Sequence, residues 1–183
     1  MLKTQRLIIR NWKPEDLKPF ALINADPRVM ENFPATLTEE ESNKLAARFQ
    51  EKIDEYGYGF SALERIDTGE FIGFVGLNYL SPESFPAPFT PAVEIGWRLS
   101  SNHWGQGYAT EGAREVLRFA FENLKLNEVV AMATTQNTKS HAVMKRLGMT
   151  YSPNDDFTNP KLPENHPLYH CVLYRIKKGN ICS

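Results

Sequence analysis

A glycine-rich turn between a strand-like run and a helix-like run has the composition of an anion-binding site. It reads Trp104-Gly105-Gln106-Gly107-Tyr108-Ala109-Thr110-Glu111, after the strand-like run 92–99 and before a helix-like run over 110–124. Glycine lets the backbone approach a ligand closely, and the free N–H groups and dipole of a helix start favour negative charge. The segment predicts a phosphate or pyrophosphate site, with a plain glycine-rich turn as the alternative.

Two common phosphate-binding patterns do not match this turn. A dinucleotide site needs G-x-G-x-x-G near the start of a parallel βαβ unit, whereas here the second glycine, Gly107, is followed by Thr110 past mid-chain. A P-loop needs a lysine directly after its glycines, and the next lysine downstream is Lys125. These departures argue against nucleotide hydrolysis and favour a pyrophosphate held mainly by the backbone.

The strand before the turn carries a carboxylate in open surroundings. Strand alternation puts Glu94 on one face with small neighbours, Ala92 and Gly96, and with Arg98. A carboxylate with space above it can accept a proton from a bound ligand. The alternative is a structural ion pair between Glu94 and Arg98 or another cation. For Gly96, a close approach or bulge and packing against a helix remain equally open.

Further elements follow from local patterns. The sequence predicts strands at 6–12, 61–66, 71–80, 92–99, 128–134 and 169–176, and helices from Pro14, from a capping box at Thr38 to Gly57, over 110–124 and over 140–147. Residues 81–91 contain four prolines and form a long loop. This order predicts an α/β or α+β fold with a mixed sheet, in one domain spanning 1–183.

Composition narrows the partners. The chain has 183 residues and a formal net charge of −1, so no overall basic field would attract nucleic acid. No apolar run is long enough for a membrane helix, and the N-terminus does not resemble a signal peptide, so the cytoplasm is the expected location. The four histidines are scattered, and Cys171 and Cys182 form no zinc pattern, so no metal is expected.

The chain resembles the GNAT N-acetyltransferases, within them the group related to the enzymes that acetylate ribosomal-protein N-termini (RimJ/RimL-like). The family signature [QR]-x-x-G-x-[GA] is matched by 104–109, with Trp104 in place of Gln or Arg. Three more segments match in order: Thr4-Gln5-Arg6-Leu7-Ile8-Ile9-Arg10, Val93-Glu94-Ile95-Gly96-Trp97, and Asn137-Thr138-Lys139-Ser140 leading to Lys145-Arg146-Leu147-Gly148-Met149.

The resemblance implies a single-domain GNAT fold, in which splayed strands at the centre of the sheet are flanked by helices and admit acetyl-CoA. It implies direct acetyl transfer to a primary amine in a ternary complex, with Glu94 as general base, acting through a water. The residues it assigns to acetyl-CoA are Ile95, Gly96, Trp97, Trp104, Gly105, Gln106, Gly107, Tyr108, Ala109, Thr110, Asn137 and Ser140.

The general acid is less evident. Many GNAT enzymes use a tyrosine at the position of Met144, which cannot donate a proton. Ser140, one turn earlier, resembles the serine of the ribosomal group and could donate to the thiolate of CoA; the alternative is that Ser140 only caps its helix. Asn137 resembles an asparagine that binds pantetheine, and its alternative is an Asx-turn.

Two functions of different class follow. The first is an acetyl-CoA-dependent N-acetyltransferase whose acceptor is a small amine or a protein N-terminus, in a monomer or homodimer. The second, motivated by Met144, is a non-catalytic protein that binds or senses acyl-CoA. The aromatic residues Tyr79, Phe85 and Phe89 around the proline-rich loop either line an acceptor pocket or pin the loop to the body.

Overall fold

A computed structural model describes residues 1–180. These residues form nine strands: β1 (Leu2–Lys3), β2 (Leu7–Arg10), β3 (Phe60–Arg65), β4 (Phe71–Leu80), β5 (Ala92–Leu99), β6 (Glu128–Thr134), β7 (Thr150–Tyr151), β8 (Phe157–Thr158) and β9 (His170–Lys177). They also form five α-helices: α1 (Leu17–Ala25), α2 (Pro27–Met30), α3 (Glu39–Tyr56), α4 (Tyr108–Glu122) and α5 (Thr138–Arg146). Cys182 lies outside the described residues, and so does the end of the predicted 1–183 domain.

All nine strands belong to one sheet. Its order is β1-β2-β3-β4-β5-β6-β9-β7, and β8 pairs with β9. The β5–β6 pair is parallel, and the remaining pairs are antiparallel. The predicted mixed sheet flanked by helices is therefore confirmed.

Strand β4 lies in the middle of the sheet, between β3 and β5, and both of its faces are covered. Eight of its ten residues are buried, and they read as a nearly continuous apolar run. On one face, Val75 and Leu77 pack in a cluster with Ala113 and Leu117 of α4. On the other face, Phe74 packs in a cluster with the helices α1 and α3. This second face is the one that carries Glu94, because Asn78 of β4 pairs with Glu94 in register.

The capping box predicted for α3 is present. The Thr38 side chain accepts a hydrogen bond from the Glu41 N–H, and the Glu41 carboxylate accepts one from the Thr38 N–H. The helix ends at Gly57, whose φ of 74° suits glycine. The starts of two other helices were predicted two residues too late: α4 begins at Tyr108 and α5 at Thr138.

The proline-rich loop 81–91 is attached to the body by two aromatic side chains. The rings of Phe85 and Phe89 lie 6.1 and 4.9 Å from the ring of Phe157 in β8, and Phe85 is buried. Of the two predicted alternatives, these residues pin the loop. Among the described residues, none of the helices has the length and apolarity to cross a membrane.

Candidate acetyl-CoA and acceptor site

The predicted anion site is a turn with two glycines in the left-handed region. Gly105 has φ 74° and Gly107 has φ 81°, and Gly107 is the N-cap of the 15-residue helix α4. The first intrahelical bond of α4 runs from the Glu111 N–H to Gly107 O. Within residues 1–180 the backbone N–H groups of 105–110 have no acceptor, so six donors at a helix N-terminus remain available to an anion.

Glu111 ties the N-terminal segment of the chain to this turn. Its carboxylate accepts hydrogen bonds from the Thr4 hydroxyl at 2.6 Å, the Arg6 backbone N–H at 2.9 Å and the Arg6 Nε at 2.7 Å. The Arg6 guanidinium also lies 4.5 Å from the centre of the Tyr108 ring. This contact joins two of the motif segments, and the sequence reasoning assigned it no role. Two features of the sequence could have indicated this contact: the acidic residue in the first turn of α4 and the Thr-x-Arg pattern at residues 4–6.

Trp104 fixes the glycine turn to the end of β5. Its indole N–H donates to Leu99 O at 3.0 Å, and the Lys139 ammonium of α5 lies 4.1 Å from its ring centre. The Gln106 side chain donates back to Asn102 O at 3.2 Å. The Tyr108 side chain is buried in the core, which leaves only its backbone facing the anion site.

The gap required between the central strands is present. Strands β5 and β6 share one bridge, between Glu94 and Val130, whereas β5 pairs with β4 along all eight of its residues. Beyond that bridge, Ile95, Gly96 and Trp97 have no pairing partner in β6. The turn at Gly105 follows the C-terminal end of β5.

Glu94 lies where the two strands separate. Its Oε1 accepts a hydrogen bond from Asn78 Nδ2 at 2.7 Å, and Asn78 Oδ1 accepts one from the Lys52 ammonium at 2.5 Å. Burial raises the pKa of Glu94 to about 7, although the Asn78 hydrogen bond and the charges of Lys52 and Lys161 act in the opposite direction. A carboxylate with such a pKa can exchange a proton near neutral pH.

Among residues 1–180, neither Arg98 nor another cation forms the alternative ion pair with Glu94, whose hydrogen-bond partner is the neutral Asn78 amide. The Arg98 guanidinium donates to Asn24 Oδ1 at 2.6 Å and lies 4.0 Å from the centre of the Phe33 ring. Burial without a carboxylate partner lowers the pKa of Arg98 to about 10. Glu94 therefore remains available for chemistry.

The space beside Gly96 is taken by an aromatic ring. A Cβ on Gly96 would lie 2.9 Å from the Phe60 ring, which reaches across Gly76 of β4 from β3. The group that fills this space is a strand side chain, so the alternative of packing against a helix is wrong, whereas the close approach of a ligand to Gly96 stays a prediction. Phe60 thus forms part of the floor of the face that carries Glu94.

Helix α5 corrects one prediction and explains another. Asn137 is the N-cap, and its Oδ1 accepts the N–H of Ser140 at 3.1 Å, so Ser140 lies in the first turn and does not cap the helix. The Ser140 hydroxyl is partly exposed and has no hydrogen-bond partner among residues 1–180. Met144 is 1% exposed within the core, so the usual position of the tyrosine holds no proton donor.

Comparison with known proteins identifies the family that has this architecture. The family model described as the acetyltransferase (GNAT) domain matches residues 6–150. The chain belongs to the GNAT family of N-acetyltransferases. The matched segment begins at Arg6 and so includes the Arg6–Glu111 contact, the glycine turn and Glu94.

Three relatives illustrate the range of similarity. The "FsC-acetyl coenzyme A-N(2)-transacetylase" of Aspergillus fumigatus is 44% identical over 94 residues, which are 51% of this chain and 40% of that protein. An acetyltransferase structure from Agrobacterium tumefaciens is 29% identical, with a TM-score of 0.77 over 97% of this chain and 94% of that one. Mycobacterium smegmatis RimJ, in complex with CoA-disulfide, shares the fold, with a TM-score of 0.73 at 16% identity over 94% of this chain and 82% of that one.

Proposed function

We propose that this protein transfers the acetyl group of acetyl-CoA directly to a primary amine within a ternary complex. The observation that carries the proposal is the position of Glu94. Its carboxylate, with a pKa of about 7, lies at the bridge where β5 and β6 part, and the glycine turn follows the C-terminal end of β5. An acid–base group where the strands part and an anion site after the end of β5 suit a long, phosphorylated acyl donor and a protonated acceptor.

The residues around the gap fit acetyl-CoA. The free N–H groups of 105–110 would hold its pyrophosphate, with no lysine needed. The unpaired edge of Ile95–Trp97 would hydrogen-bond the pantetheine arm as a neighbouring strand would. Asn137 and Ser140 would face this arm from the start of α5. The free Ser140 hydroxyl would then supply a hydrogen-bond donor close to the sulfur of the leaving group.

The reaction needs one proton removed and one supplied. A primary amine is largely protonated near pH 7, and Glu94, directly or through a water, takes a proton so that the nitrogen lone pair can attack the thioester carbonyl. A C–N bond forms as the C–S bond breaks, the sulfur leaves as a thiolate, and the second proton of the nitrogen passes to this thiolate through solvent or the Ser140 hydroxyl. Because a thiol has a pKa of about 8.5, a hydrogen bond from Ser140 is sufficient help.

The non-catalytic alternative rests on Met144, since its burial leaves no donor at the usual position. Under that alternative the protein binds acyl-CoA and releases no thiol in the presence of amines. The state of Glu94 favours the enzyme, because this partly buried carboxylate forms no ion pair, is held by one neutral amide, and has a pKa in the range that suits a general base.

The acceptor is a small amine or a protein N-terminus, in a cytoplasmic monomer or homodimer. One relative carries the name of an N(2)-transacetylase, which agrees with an amine acceptor. The test is thiol release from acetyl-CoA with a panel of amines and peptides, together with calorimetry of CoA binding. Transfer that is lost in Glu94→Gln while CoA affinity is kept supports the enzyme. CoA binding without turnover on any amine supports the non-catalytic protein, and no CoA binding contradicts both.

A further inference from the structure

Two lysines approach Glu94 from opposite sides. Lys52 of α3 reaches it from the β4 side, through the hydrogen-bonded amide of Asn78. Lys161, which is exposed, acts on Glu94 through its charge and lies toward the β6 side. Its ammonium lies 5.6 Å from the centre of the Phe85 ring, and Phe85 packs in one cluster with Val130, the β6 partner of Glu94.

Neither lysine is neutralised by a carboxylate. Within residues 1–180 the lysines that form ion pairs are Lys13, Lys44 and Lys139. The Lys52 ammonium instead donates to the neutral Asn78 side chain. A partly buried ammonium held on an amide, beside an acid that it does not contact directly, keeps hydrogen-bonding capacity for another anion.

The charge balance changes when the reaction begins. Before reaction the negative charge of Glu94 offsets part of the positive charge of the two lysines, and no second acid lies near enough to shift the pKa of Glu94. Once Glu94 holds the proton taken from the amine, it no longer offsets the positive charges of the partly buried Lys52 and the exposed Lys161. Coulomb attraction then favours an acceptor that brings a negative charge and disfavours a diamine.

We propose that the acceptor is a primary amine bearing an anionic group, a carboxylate or a phosphate, a few bonds from its nitrogen. Lys52 and Lys161 hold the anion, and the nitrogen lies beside Glu94. The short span between the lysine contacts and Glu94, one amide group in the case of Lys52, suits an amino acid or a small amino phosphate. This inference rests on the proposed acetyl transfer and names the acceptor class of the same site.

The test compares amines that differ only in the anion: β-alanine with 3-aminopropanamide, and O-phosphoethanolamine with ethanolamine. Peptides that begin Ala-Asp or Ala-Asn distinguish a protein N-terminus as the source. Since hydrogen bonds to charged groups are the stronger ones, kcat/KM for the anionic member should be at least about tenfold higher. Equal or better transfer to the neutral members would overturn the proposal.

Variants show whether the lysines cause the preference. Lys52→Met and Lys161→Met should each lower, by about tenfold, the ratio of kcat/KM for the anionic amine to kcat/KM for the neutral amine. The ratio is the readout because removing either charge also raises the pKa of Glu94 and so changes transfer to both amines. Lys44→Met, on the same helix α3 but exposed and paired with Glu40, is the matched control and should behave as the wild type. A preference for the anion that persists in both variants would show that other groups recognise it.

A binding measurement separates this inference from the proposed transfer. The acetylated product of β-alanine and its amide are titrated by calorimetry into the protein saturated with CoA. If no amine is acetylated but the carboxylate product binds and loses affinity in Lys52→Met, the anion site stands and the catalytic function fails. If neither product binds and no anionic amine reacts, the anion site is overturned.

Discussion

Replacing Glu94 by glutamine should lower activity and raise stability at the same time. Glutamine keeps the size of the side chain and the acceptor for Asn78 Nδ2 but cannot take a proton. General-base contributions are about 10²–10⁴-fold, so kcat should fall by that range while affinity for acetyl-CoA changes little. With a pKa of about 7, about half of the Glu94 carboxyl groups are ionised at pH 7 and about a tenth at pH 6. The wild-type rate should therefore drop as pH falls through 7, and that pKa should be missing from the variant profile.

The stability change follows from the same pKa with a defined sign. Burial raises the pKa of Glu94 from 4.5 to about 7, so between these pH values the folded protein binds a proton that the unfolded chain has lost. Stability of the wild type is therefore lost as pH rises from 4.5 to 7, and the full penalty applies above pH 7. At about 1.4 kcal/mol per pKa unit, the penalty is about 3 kcal/mol. Glu94→Gln should be more stable than the wild type by up to this amount at pH 8, and equally stable at pH 4.

Steady-state kinetics from about pH 5.5 to 9 measures the change in activity, and urea unfolding at about pH 4 and 8 measures the change in stability. Both ranges extend to either side of the Glu94 pKa. Glu164→Gln, which removes the same charge from an exposed loop, is the control and should change neither. An active Glu94→Gln enzyme that keeps the wild-type pH profile would refute the assignment of the base. A variant that loses activity but gains no stability at pH 8 would show that Glu94 is not held near neutral pKa by burial.

Three further changes test the rest of the site. Gly107→Val should weaken CoA binding in calorimetry at least about tenfold, because φ 81° costs a β-branched residue about 1–2 kcal/mol and distorts the turn. The control is Gly57→Val, which has a similar φ of 74° at the C-terminus of α3 and should leave affinity unchanged. Ser140→Ala should lower kcat about tenfold with little change in thermal unfolding. Its control is Asn137→Ala, which removes the N-cap of α5 and should cost about 1 kcal/mol of stability. A Ser140→Ala enzyme with full kcat would assign protonation of the thiolate to solvent. Glu111→Ala should lower the free energy of unfolding by about 2 kcal/mol and weaken CoA binding, since it frees the N-terminal segment; unchanged urea unfolding would contradict this.

Local signals in the sequence determined the parts of the site that lie on single elements. The strands 71–80, 92–99 and 128–134 were predicted with the bounds that the structure shows, because alternation and the flanking turn residues act over a few neighbours. The same alternation placed Glu94 on the face opposite Ile95, and the two glycines predicted a turn whose backbone N–H groups stay free. Helix starts were less accurate, since a left-handed glycine at Gly107 can serve as a cap that no side chain signals.

Only the tertiary structure decided which distant groups meet. Glu111 contacts Thr4 across more than a hundred residues, and Lys52 and Lys161 approach Glu94 from a helix and a loop far apart in the chain. No local pattern encodes such pairs, because they follow from the order of strands in the sheet and from the packing of helices on its faces. For the same reason the sequence could not tell that Met144 is a core residue, nor that Glu94 is left unpaired at the point where the strands part. Its neutral-range pKa results from that burial, which only the assembled sheet provides.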